Sequence, residues 1–503
     1  MSLAVAYTRT NDGINAPQVS VEVDLSHGLP GFSIVGLPEA AVKESKDRVR
    51  SAIINSGFDF PTNRITVNLA PADRPKQGGR FDLPIAVGIL AASGQIEKNR
   101  LEDYEFIGEL ALSGELRAVS GVLPTAFAAH HRGRAIMLPE GNAAEAGIIE
   151  NSLIFPSASL VSVTRHLNHL ECIGSYSRQF EASSQTYTID LLDVKGQFQA
   201  KRALEIAAAG GHHLLMVGPP GTGKTMLASR LPTILPPMTE EEALESASVA
   251  SVSHQGFDPD NWSRRPFREP HHTASAVALV GGGAKVMPGE ISLAHHGVLF
   301  LDELTEFNSK VLEVLREPLE TGHIALSRAA RQANYPARFQ LVAAMNPCPQ
   351  GLDCDLKSNC HCTQEQQRRY RKRLSAPFLD RIDLQIEVPR LSHSDLSSLE
   401  ATESSEIVRA RVCDARNRQQ QRQQCPNYAL GTQQLAKYCV LKPADDALLG
   451  QVLEAFKLSA RACHRILKVA RTIADLDQSE NIETAHLTEA VSYRSMDRLL
   501  AAQ

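Results

Sequence analysis

Gly218-Pro219-Pro220-Gly221-Thr222-Gly223-Lys224-Thr225 match the pattern G-x-x-x-x-G-K-[ST]. Glycines let a backbone close on phosphate oxygens, and the amides opening the next helix offer positive potential to an anion. In that geometry Lys224 reaches the β- and γ-phosphates of a nucleotide such as ATP, and the Thr225 hydroxyl binds Mg2+. An acidic pair, Asp302-Glu303, ends the apolar run Val298-Leu299-Phe300-Leu301. A carboxylate at a strand end beside the loop holds Mg2+ through its water shell, the part expected of Asp302. Glu303 then polarises the attacking water, because hydrolysis needs an oriented nucleophile.

Asn346 closes the run FQLVAAMN. A polar residue at a strand tip beside the loop orients the lytic water or touches the γ-phosphate. Arg381, in Leu379-Asp380-Arg381-Ile382-Asp383, is a guanidinium between carboxylates and suits a finger laid on a neighbouring copy's phosphate. Such a finger implies an oligomer, with a closed ring as its simplest form.

Cys348, Cys354, Cys360 and Cys362 crowd into fifteen residues, 348–362, with C-x5-C-x5-C-x-C spacing. Four thiolates close a tetrahedral structural Zn2+ site, although the x5 gaps are wider than usual. His361, between the last two cysteines, is an alternative ligand. Lys285, after the glycines 281–283, and Arg328, Arg331 and Arg338 sit where loops could meet DNA phosphates without reading sequence. Arg368–Arg373 is the densest basic run; it suits DNA binding and, lying just before the finger, a subunit interface or a solvated helix equally well. The adjacent His271 and His272 read as loop or packing residues rather than metal ligands.

These residues need elements to hold them. HLLMV before the loop and MLASRL after it read as strand and helix; GVLFLDE and FQLVAAMN read as further buried parallel strands. Upstream, VSVEVDL, FSIVGL, RITVNLA, YEFIGEL and AIMLP alternate with helical stretches near 39–56 and 83–93, which predicts a separate α/β domain. Residues 174–188 are polar and read as a linker. After about 391 helices dominate, and the Gln/Arg-rich 416–424 reads as a solvated helix face. The expected domains are 1–175, a linker 176–189, an ATPase core 190–390 and a helical lid 391–503.

The formal charge is -5, so a nucleic-acid surface must be local. No secretory signal or membrane span is legible, and the nine cysteines fit a reduced, cytoplasmic setting.

The order GPPGTGKT, FREPHHTAS, GGG, PGEISLAHHGVLFLDEL, LREPLETG, AAMNPCP, FLDRIDL, SARA resembles the ComM/YifB family of Mg-chelatase-like AAA+ ATPases across essentially the whole chain. The resemblance implies a multidomain α/β fold: an N-terminal domain like that of Lon protease, a central AAA+ P-loop core with a parallel sheet, and a C-terminal helical lid. It makes Asn346 sensor 1 and Arg461 sensor 2, and the 324–339 segment a pre-sensor-1 hairpin. It implies a homo-hexameric DNA motor, a helicase that drives branch migration while transforming DNA is integrated, acting on single-stranded and branched DNA. An active Lon site needs a Ser-containing GPSAG turn and a distant Lys. Here 75–82 has no Ser and 119–125 no Lys, so the N-terminal domain reads as proteolytically dead and as a DNA-binding or ring-stabilising platform. Two other functions compete: a magnesium-chelatase motor subunit, which as a family lacks that domain, and a protein remodeller, whose aromatic pore grip is missing from the glycine loop.

Overall fold

The computed structural model describes residues 2–178, 187–253, 255–283, 286–328, 331–351, 360, 362–391, 402–456 and 458–494, with the side chains of 327, 328, 331 and 332 excepted. Two compact units divide the chain: Met1–Ser183 with Ala247–Trp262 and Ser327–Asn334, and Ser184–Ser246 with Ser263–Leu326 and Tyr335–Gln503.

In the first unit β1 (Ser2–Arg9), β2 (Gln18–Ser26), β3 (Gly31–Val35), β4 (Arg64–Ala70), β5 (Tyr104–Phe106), β6 (Ala135–Pro139) and β7 (Ile154–Ser157) form a seven-stranded mixed sheet, order β3-β4-β2-β1-β5-β6-β7. β2 buries Val19, Val21, Val23 and Leu25 and leaves the residues between them partly exposed. That period of two marks a strand with one covered face. Helix Ala40–Asn55 buries Val42, Val49, Ala52 and Ile53, one stripe of an amphipathic helix. Helix Asp82–Ala92 is buried at every position, and a Cβ on its Gly88 would lie 2.6 Å from Val23 Cγ2. Only glycine lets that helix lie so close to β2. The run YEFIGEL is not one strand: it breaks at Gly108, whose φ is 159°, into Tyr104–Phe106 and Glu109–Leu110.

The second unit holds β8 (Leu214–Val217), β9 (Phe267–Arg268), β10 (Val298–Leu301), β11 (Gln340–Met345) and β12 (Leu384–Glu387), all parallel, in the order β9-β10-β11-β8-β12. β8, β10 and β11 are buried throughout, as parallel strands covered on both faces must be. Alternate residues feed two cores. Leu214, Met216, Phe300, Val342 and Ala344 pack with helices Phe198–Gly210 and Lys224–Ile234, and Leu215, Val217, Leu299, Leu341 and Ala343 pack on the other face.

A helical region completes this unit, with Ser405–Gln423, Ala460–Leu476 and Thr484–Ser492 among its helices. The Gln/Arg-rich stretch is solvated on one face only: Asn417, Arg418, Gln420, Gln421 and Gln424 are exposed, and the other side enters the core. Gln419 and Gln423 are buried, Arg416 donates to the Ala208 and Ala209 carbonyls, and Arg422 makes two bonds to Asp475 at 2.6 and 2.9 Å. Polar residues enter this core because each finds a partner there. Among the described residues no helix is long and apolar enough to cross a membrane.

Candidate functional site

β8 ends at Val217, and the loop that follows turns into helix Lys224–Ile234. A side chain at Gly218 would collide with the Val388 carbonyl, and Gly221 and Gly223 have φ of 78° and 86°. The loop therefore needs glycine at these points. The Lys224 ammonium donates to the Gly218 and Pro219 carbonyls at 2.7 and 2.9 Å and to Asn346 Oδ1 at 3.3 Å. Burial lowers its pKa, against the pull of Asp302 and Glu303.

Parallel register places the acidic pair. Leu301 lies opposite Ala343, and Val217 opposite Met345, so Asp302, Asn346 and the loop emerge together at the C-terminal ends of adjacent strands. Ligands of open α/β sheets bind at that edge. Thr225 Oγ1 donates to Asp302 Oδ2 at 2.6 Å, and the Glu303 amide donates to Asp302 Oδ1 at 2.8 Å. These oxygens are hard donors suited to Mg2+. Glu303 has a left-handed backbone, φ 50°, and a half-exposed carboxylate.

Of two further residues at this edge, Glu269 escaped the sequence reading and His272 was read only as a loop or packing residue. His272 Nδ1 lies 3.2 Å from Glu303 Oε2, and the Glu269 carboxyl is raised by burial and by Asp302. Both follow β9, which pairs with β10. The available signal was their position between a strand and the Asp-Glu strand.

Arg381 precedes β12, which runs parallel to β8, so it stands at the opposite end of the sheet from Lys224 of the same chain. A strand of four residues alone spans roughly 13 Å. Arg381 Nη2 donates to Glu320 and Nη1 to the Pro377 carbonyl, while Nε is buried without a partner among the described residues. Arg461 is exposed in the first turn of helix Ala460–Leu476. One turn on, Arg465 donates to the Arg381 carbonyl at 2.9 Å and to Asp383. Glu320, Arg338, Asp383, Arg465 and Lys468 line a cavity of about 370 Å³ at this end.

Cys348, Cys360 and Cys362 converge, with their Sγ atoms within 4.8 Å of one another; Cys354 and His361 lie outside the described residues. Three soft thiols at one point fit Zn2+ by donor type. A Cβ on Gly351 would touch Pro220 at 3.4 Å and Asn346 at 3.6 Å, so this turn packs against the phosphate loop. Glu245, His295 and His296 also cluster. There the Arg338 amide donates to His295 Nδ1 at 3.0 Å, so Nε2 carries the proton and points at Glu245, 3.1 Å away. That tautomer makes a hydrogen-bonded clamp and leaves His295 no free ring nitrogen for a metal. Lys285 lies outside the described residues; Arg328 and Arg331 belong to the hairpin His323–Arg328 and Arg331–Pro336, with side chains outside them.

In the first unit, neither Lon-like stretch assembles a Ser–Lys pair among the described residues. Lys76 donates to the Pro71 carbonyl. Arg80, its pKa pushed down to about 10 by burial, donates to the Gly121 carbonyl and Thr125 Oγ1 at 3.2 and 3.1 Å.

A P-loop beside an acidic strand end, on a five-stranded parallel sheet with a helical lid, defines an AAA+ protein of the magnesium-chelatase type. Family models agree: "Magnesium chelatase, subunit ChlI" matches residues 190–396, its C-terminal model 402–494, and "Subunit ChlI of Mg-chelatase" 21–142. The chain is 51% identical to the competence protein ComM of Haemophilus influenzae, covering 99% of each, and 53% identical to YifB of Salmonella typhimurium, an uncharacterized protein, covering 99% of this chain and 98% of that one. It is 29% identical to the magnesium-chelatase 38 kDa subunit of Rhodobacter capsulatus over 31% of this chain and 49% of that one. The chain belongs to the ComM/YifB family, and membership of this AAA+ group implies ATP and Mg2+.

Proposed function

We propose that this chain is the subunit of a homo-hexameric, ATP-driven DNA helicase that promotes branch migration while transforming DNA is integrated. The observation that carries the motor reading is the placement of Arg381 at the far end of the sheet from Lys224. A nucleotide on one copy's loop is then served by the next copy's guanidinium. Lys224 and the backbone N–H groups of Gly221, Thr222 and Gly223 grip the triphosphate. Thr225 and Asp302 hold Mg2+, which neutralises charge building on the phosphates. Glu303, with Asn346, orients the attacking water, and Arg461 adds a lid cation.

DNA as the track is supported by full-length likeness to a competence protein. Lys285, Arg328 and Arg331 are its proposed phosphate contacts. The chelatase-motor alternative draws on the magnesium-chelatase family models and on 29% identity to the Rhodobacter capsulatus subunit over 31% of the chain. A protein remodeller remains the third possibility. The deciding experiment is strand exchange on a labelled three- or four-way DNA junction with and without ATP. ATP-dependent exchange, together with DNA-stimulated hydrolysis, is expected; hydrolysis indifferent to every DNA form would remove the DNA reading.

The thiol cluster is proposed to hold a structural Zn2+ through Cys348, Cys360 and Cys362, with Cys354 as the fourth ligand. Elemental analysis is expected to find about one zinc per chain, and chelation to destabilise the fold around Asn346. A folded, metal-free protein would end this claim.

A further inference from the structure

Arg381 is 7% exposed, yet its guanidinium is under-satisfied. Of its five N–H groups, one set reaches the Pro377 carbonyl and one Glu320, and Nε is buried without a partner among the described residues. The carboxylates beside it in sequence do not help. Asp383 accepts from Arg465 and, at 2.9 Å, from the His213 amide. Arg465 and Arg494 also bind the carbonyls of Arg381 and Ile382. The backbone of 381–383 is thus fastened, while the charged tip is held by one carboxylate that is itself 55% exposed.

We propose that Glu320 keeps Arg381 withdrawn within its own subunit and releases it to the γ-phosphate of a neighbouring copy's nucleotide, which makes Glu320 a positioning residue for hydrolysis at the subunit boundary. This rests on the reading of Arg381 as the residue acting across that boundary. A phosphate competes directly with a carboxylate for a guanidinium, since both accept charge-assisted bonds from the same donors. The fixed stem confines the exchange to the tip. Glu320 sits near the end of helix Arg316–Thr321, and the left-handed Gly322, φ 72°, leads straight into the hairpin strand His323–Arg328. Exchange at Arg381 therefore frees a carboxylate at the root of the hairpin proposed to meet DNA.

The test uses the full-length protein at saturating ATP, with and without a single-stranded oligo-dT. Glu320→Gln and Glu320→Ala are compared with Arg381→Ala and with the double variant Glu320→Gln/Arg381→Ala. Both Glu320 variants are expected to raise DNA-free kcat roughly threefold, the effect of removing one partly exposed ion pair that opposes the finger's transfer. KM for ATP should move less, because the nucleotide's own loop is untouched. The double variant should be as inactive as Arg381→Ala, since Glu320 acts only through Arg381. Unchanged or lowered kcat in Glu320→Gln, alongside an inactive Arg381→Ala, overturns the proposal; so does a double variant that still turns over. Full hydrolysis by Arg381→Ala would instead retire the boundary reading itself. Glu320→Gln preserves shape, so it decides the matter if the alanine variant fails to fold.

Discussion

Glu303→Gln is expected to bind ATP as the parent does and to lose roughly 10²–10⁴-fold in kcat, the usual contribution of a positioned general base. The amide keeps the side chain's size but accepts a proton poorly. The contacts around Asp302 are kept, because the Glu303 amide still donates to it and Thr225 still donates to the same carboxylate, while the contact with His272 loses its charge. ATP should accumulate on the protein, measurable as retained labelled nucleotide after gel filtration, while phosphate release falls. Turnover persisting in the Gln variant would move the water-polarising role elsewhere. The alternative groups on the page are Glu269 and His272, which share that edge of the sheet.

Arg381→Ala is expected to spare ATP binding and to cut hydrolysis by roughly 10³–10⁵, the range associated with a guanidinium supplied in trans. Its signature is complementation. Lys224→Ala lacks a working loop but keeps Arg381, and the Arg381 variant has the converse defect. In a random equal mixture about one boundary in four would pair an intact loop with an intact guanidinium, provided the interface is head-to-tail. Phosphate release by the mixture should therefore exceed that of either variant alone. A strictly additive mixture, with both variants shown to co-assemble, would place Arg381 outside the reaction.

The readable parts of the molecule are those written within a few residues. The phosphate loop is one contiguous motif between an apolar strand and a helix, and both flanks sit where the pattern places them. Helices read near 39–56 and 83–93 appear as Ala40–Asn55, whose apolar spacing makes one buried stripe, and Asp82–Ala92, a continuous apolar run buried all round. What stayed hidden depends on distant chain segments meeting. Glu320 and Arg381 are 61 residues apart, and nothing near either names the other. Gln419 and Gln423 look like surface residues, and only the folded lid shows the partners that make their burial affordable. The cysteines lay between these cases: their crowding was visible, but only the folded chain shows the sulfurs of Cys348, Cys360 and Cys362 within 4.8 Å of one another.

One backbone angle carries a cost for durability. Glu303 adopts a conformation that disfavours any residue with a Cβ by roughly 1–2 kcal/mol. Glycine would relax there, so selection for heat resistance alone would erode the residue on which turnover is proposed to depend. A hardened descendant of this chain that had lost its carboxylate at 303 would be a sturdier but idle protein.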